Sequence, residues 1–163
     1  MGEGWLGWTT WLEQTSVASW VRMSTWGYPA VEVVHVFGLA LLIGTAVAFD
    51  LRLLGVSSRL PADGLARHLL PWARVGFAIA LASGLLLFST QAATFIRQPV
   101  FLVKVTAIGI GVLNASIFAR GTYREVAQWD YSPQPPAAAR AAGIVSMLAW
   151  TTALVCGRLL AYL

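Results

Sequence analysis

The chain has 163 residues, 58% hydrophobic and 11% charged, with a mean hydropathy of +0.69 and a formal net charge of +4. Soluble domains carry about 25% charged residues, so this composition excludes an ordinary soluble globule and points to one membrane domain over residues 1–163. The basic residues sit in the links between apolar stretches, a sign of membrane topology rather than of a nucleic-acid partner, and a lone cysteine, Cys156, excludes an internal disulfide and a cysteine-built metal cage.

The first 28 residues lack the basic start and unbroken apolar run of a signal peptide. Trp5, Trp8, Trp11, Leu12 and Trp20 recur near helical spacing before Gly27 and Pro29. That spacing predicts an amphipathic helix that lies on the membrane surface or packs on the bundle as a lid. Four stretches follow that can each cross about 30 Å of hydrocarbon, over residues 31–54, 72–93, 100–119 and 139–162. Polar or proline-bearing links separate them: SSRLPADGLARHLLP, TFIRQP and ARGTYREVAQWDYSPQPP. The fold expected is an all-α integral membrane four-helix bundle with an N-terminal amphipathic interfacial helix.

Seven basic residues lie at one end of the expected bundle: Arg52, Arg59, Arg67, Arg74, Arg120, Arg124 and Arg140. Four lie at the other, Arg22, Arg97, Lys104 and Arg158. The bias puts the first set in the cytoplasm and both termini outside.

Ionisable groups within a span are costly in lipid and are expected to face the bundle interior. At about 100° per residue, His35 lies roughly 60° from Glu32, and Asp50 returns to the direction of Glu32 after five turns. Matching stripes are Gly76, Ala80, Ser83, Leu87 and Thr90 in the second span; Lys104, Ala107, Gly111, Asn114 and Phe118 in the third; and Met147, Thr151, Leu154 and Arg158 in the fourth. Two polar layers are therefore expected. The outer holds Glu32, His35, Thr90, Gln91, Lys104 and Arg158, and the inner holds Asp50, Arg52, Arg74 and Asn114.

His35 is the sharpest candidate. Imidazole is an axial ligand for haem iron and a ligand for copper; it also suits a hydrogen bond to Glu32 or to a neighbouring helix. Glu32, Lys104 and Arg158 form either an internal ion pair or a polar shell that receives an anion such as a haem propionate. His68, the only other histidine, falls at the opposite end and cannot share a haem with His35 within one copy. Asp50, Arg52, Arg74 and Asn114 read as a structural cluster fastening the helix ends. With Arg158 facing inward, Cys156 would face lipid. No Ser-His-Asp set, HExxH motif or P-loop supports hydrolysis or phosphoryl transfer.

The run EQTSVASWVRMSTWGYPAVEVVHVFGLALLIGTAVAFDLRLLG, with FLVK, LNA and GRLLAY further on, resembles a family of small uncharacterised bacterial membrane proteins over nearly the whole chain. More distantly the plan is similar to the copper-resistance protein D group and the HemJ-type protoporphyrinogen oxidases, through a histidine opening a span (His35) and a Phe-x-x-Lys pattern (Lys104). That likeness implies haem b binding or copper handling in the bacterial inner membrane. This chain departs from it at Phe118 and Ala119, where some relatives carry another histidine. The leading expectation is a small membrane redox protein or subunit with His35 binding haem b or a metal, inside a polar shell of Glu32, Lys104 and Arg158. The alternatives are an accessory subunit of a larger membrane complex, a homo-oligomer pairing two His35 side chains, and a copper permease.

Overall fold

The computed structural model describes residues 7–162, so Trp5 and the first turn of the expected N-terminal helix lie outside the described residues. Those described fold as α1 (Gly7–Glu13), α2 (Ser16–Met23), α3 (Gly27–Leu53), α4 (Ala62–Thr90), α5 (Ala92–Phe95), α6 (Pro99–Arg120), α7 (Val126–Trp129) and α8 (Ala137–Leu159). A 3₁₀ turn, Thr122–Glu125, precedes α7. The described chain is all-α, and α3, α4, α6 and α8 are long and apolar enough to cross a membrane.

The N-terminal segment is two helices rather than one. The Thr15 hydroxyl donates to Leu12 O at 2.8 Å and accepts from Ala18 N at 3.3 Å, so it closes α1 and caps α2. One face docks on the bundle: Arg22 donates to Thr90 O at 3.2 Å, and Glu13 accepts from Ala93 N at 2.8 Å. Thr9, Ala18 and Val21 are buried in that contact, while Trp11, Trp20 and Trp26 are exposed. The break expected before the first span falls at 24–26, just ahead of Gly27 and Pro29. They open α3, whose first amide is capped by the Ser24 hydroxyl at 3.1 Å, and a proline in a first turn removes only an amide that lacks a helical partner.

The long helices associate as close pairs. A Cβ on Gly38 would stand 2.7 Å from Ala80 N, and one on Gly76 would stand 2.5 Å from Leu42 N, so α3 and α4 touch backbone to backbone. Gly143 also brings α8 near α3, less tightly, with a built Cβ 3.2 Å from Asp50 O. Gly111 of α6 receives the Trp150 ring of α8. At one end α4 and α6 meet through Phe88 and Phe101, stacked at 5.2 Å. Leu42, Ala46 and Trp150 fill the middle, with Phe77 edge-on to Trp150 at 6.1 Å.

The other end is fastened by polar bonds. The backbone after α3 closes as a Schellman turn, with Val56 N donating to Leu51 O, Gly55 N donating to Arg52 O, and Gly55 at φ +92°. Arg52, 1% exposed, donates to Leu60 O at 2.6 Å and Asp130 O at 2.7 Å. The stretch before Trp72, expected as a link, is instead the start of α4. The reason is a cap from far along the chain: the Asp130 carboxylate accepts from Asp63 N at 2.7 Å, and Asp63 pairs with Arg67 one turn on at 2.7 Å. Asp130→Ala is expected to lower stability by about 1 kcal/mol and Asp130→Asn by much less. Thermal unfolding of the purified variants in detergent checks this.

Candidate functional site

Some of the residues expected in each polar layer lie together and others turn away. At the Phe88–Phe101 end, His35 is half-buried on α3 and its Nδ1 lies 3.1 Å from Ser83 Oγ on α4. The Ser83 hydroxyl gives its single proton to Ile79 O at 2.6 Å. It can then accept from His35 Nδ1–H, and in that tautomer Nε2 carries the lone pair. Gly84 makes room for the ring, since a Cβ there would stand 3.0 Å from His35 Cε1.

Lys104 of α6 points into the same layer. Its Nζ lies against Gly157 of α8, 3.4 Å from where a Cβ would stand, one residue along from Cys156. Among the described residues, Lys104 makes no hydrogen bond or ion pair. It is a half-buried cation beside an imidazole and a buried thiol.

Three residues expected here stand elsewhere. Glu32 is exposed: it sits about 120° around α3 from the Gly38 contact point, against about 60° for His35. Arg158 turns out of the bundle and stacks its guanidinium 4.9 Å over the ring of Tyr162, one turn on. Gln91 is exposed between α4 and α5, whereas Thr90 is buried and holds Arg22.

The turn of Arg158 carries the whole α8 register with it. The buried face is Gly143, Trp150, Ala153 and Cys156, not the stripe of Met147, Thr151, Leu154 and Arg158. Packing decides this. Trp150 fills the hollow over Gly111, and that fixes α8 with Cys156 inward.

The second layer is split. Arg74 is exposed, and Arg52 engages the carbonyls of the connecting segments. Asp50, two residues and about 200° away, turns instead to α8, where the Ser146 hydroxyl reaches its carboxyl. Asn114 also turns to α8 and donates to Ala142 O at 2.9 Å. His68 is exposed on α4 at this end, so the two histidines lie at opposite ends of the molecule.

Ser83, Gly84, Gly157 and Cys156 are site residues that the sequence reading did not assign. Ser83 was visible as part of the α4 stripe, but nothing in the sequence tied it to His35. Among the described residues, no group of three or more His, Cys, Asp or Glu side chains is placed to hold a metal ion.

Residues 10–163 match the model of a family of unknown function, DUF6644. No curated protein and no solved structure matches the chain.

Proposed function

Starting from the fact that the chain belongs to the DUF6644 family of unknown function, we propose a small integral membrane redox protein or subunit in which His35 binds haem b or a metal ion. The observation that supports this reading is the Ser83 contact at Nδ1, with Nε2 as the nitrogen that would serve as the ligand. Metal-bound histidines ordinarily have such an outer partner on the second nitrogen. The resemblance to the copper-resistance protein D and HemJ-type groups, read from His35 and the Phe-x-x-Lys pattern of Lys104 and matched by no curated protein, implies the same chemistry.

The donor set fits a site with one histidine. His35 would hold a b-type haem, and the Lys104 charge in the same layer would offset the negative charge such a group carries. For a copper ion, the soft donor type in the layer is the Cys156 thiol, buried on α8 beside Gly157. A bound haem or copper ion would supply one-electron transfer. The chain's own part is to orient the imidazole through Ser83 and to hold a positive charge beside it. Passage of an ion across the membrane is no part of this proposal, because Leu42, Ala46, Phe77 and Trp150 fill the middle of the bundle.

An optical spectrum of the protein purified from membranes tests it. The expected result is a Soret band, or stoichiometric copper by elemental analysis, that His35→Ala abolishes. A colourless and metal-free preparation would sink the reading.

A second reading, an accessory subunit of a larger membrane complex, rests on the N-terminal segment. Its bundle-facing side is fixed by Arg22 and Glu13, while Trp11, Trp20, Met23 and Trp26 point away, 62–80% exposed. Stoichiometric co-purification with a larger complex, lost on removing those tryptophans, would favour it.

A further inference from the structure

The second polar layer holds a carboxyl that neither the fold nor the His35 site explains. Asp50 lies within the membrane-length helix α3, one turn from its end, and is 4% exposed. Its Oδ2 is buried and has no hydrogen-bond partner. No basic side chain faces it. Arg52 lies on the other side of α3, spent on backbone carbonyls; Arg74 on α4, Arg120 on α6 and Arg140 on α8 are exposed; Lys104 is at the opposite end.

A buried carboxylate without a counter-charge is expensive in an apolar interior and must be neutralised. Two oxygen-bearing side chains stand on the α8 side of Asp50. The Ser146 hydroxyl reaches the carboxyl from α8. One turn back on α8, Asn114 of α6 gives its Nδ2 to Ala142 O, which leaves its Oδ1 free to accept. Gly143, between those two α8 positions, lets the α8 backbone come within contact distance of Asp50 itself.

We propose that Asp50, Ser146 and Asn114 form a buried site for a monovalent alkali cation of about the size of sodium. Carboxylate, hydroxyl and amide oxygens are the ligands of hard cations. One carboxylate balances one positive charge, so a divalent ion would leave the interior charged. The ion ties α3, α6 and α8 together at a level where the helices otherwise share little polar contact. Phe49, Leu53 and Phe118 shield it towards the near end, and Leu42, Ala46 and Trp150 close the bundle beyond it. The site therefore binds without conducting.

Two readouts on the full-length protein in detergent test this, with sodium chloride exchanged for choline chloride at constant ionic strength. Dicyclohexylcarbodiimide, which couples to carboxyls in apolar surroundings, is expected to label Asp50 in choline. Labelling should fall roughly fivefold once free sodium reaches about four times the dissociation constant. The unfolding temperature should rise over the same range, weakly in Ser146→Ala and not at all in Asp50→Asn. Labelling and unfolding that are equal in sodium and choline overturn the proposal and leave Asp50 a proton-bearing carboxyl. A sodium response that survives in Asp50→Asn also overturns it. Neither result depends on whether His35 binds haem or metal.

Discussion

Replacing Arg52 by alanine is expected to destabilise the protein by about 3 kcal/mol, the largest loss from any single polar side chain here. The guanidinium is 1% exposed and bonds to Leu60 O at 2.6 Å, Asp130 O at 2.7 Å and Ser132 O at 3.5 Å. Hydrogen bonds from a charged donor contribute about 1.5–3 kcal/mol each, and truncation leaves those carbonyls without their donor and opens a cavity. The estimate stays near 3 rather than above it for two reasons. One nitrogen, NH1, is already buried without a partner, and removing the charge recovers desolvation energy. Arg52→Lys should fall between wild type and alanine, because a single ammonium cannot span the same carbonyls as a planar fork. Arg52→Met keeps volume but no donors, so its difference from alanine isolates the cavity. Chemical or thermal unfolding in detergent gives all three numbers. A change within about 0.5 kcal/mol for alanine would place Arg52 outside the structural core.

The second large effect is steric. Gly76→Ala puts a Cβ 2.5 Å from Leu42 N, where backbone rather than a flexible side chain must yield. Overpacking of this kind costs about 1–3 kcal/mol, and Gly76→Leu should prevent α3 and α4 from pairing at all. Gly109→Ala on α6 is the matched control. It meets nothing within 4 Å and should be neutral or slightly stabilising, since alanine favours helix over glycine. If both variants unfold alike, glycine is not what sets the α3–α4 approach.

Hydropathy alone locates the four long helices, because twenty apolar residues in a row admit few other structures. The inward faces of α4 and α6 also follow from spacing: Gly76, Ala80 and Ser83, then Ala107, Gly111 and Phe118, are the residues buried there. The face of α8 does not. Spacing treats Arg158 as a charge that must hide, whereas it sits at a helix end with Tyr162 in reach and needs no interior. Glu32 misleads in the same way. A charge near the end of a span carries little information about direction, while a charge or a bulky ring further in carries much. The early start of α4 was illegible for another reason: its cap, Asp130, is 67 residues from Asp63. Within the site, His35 and Lys104 stood out as ionisable groups in spans. Their surroundings, Ser83, Gly84, Gly157 and Cys156, have no signature in sequence because only the packing of three helices makes them neighbours of those two.

The Arg52 bonds also imply an order of events during synthesis. Leu60 lies 8 residues downstream, so that bond is available as soon as α3 and its turn have emerged. Asp130 lies 78 residues downstream, beyond all of α4 and α6. Until then the Asp130 carbonyl is absent and Leu60 is the acceptor within reach of Arg52. Only when the segment before α8 arrives is that same charge drawn inside and sealed. An insertion intermediate stalled before residue 130 should therefore leave Arg52 open to solvent.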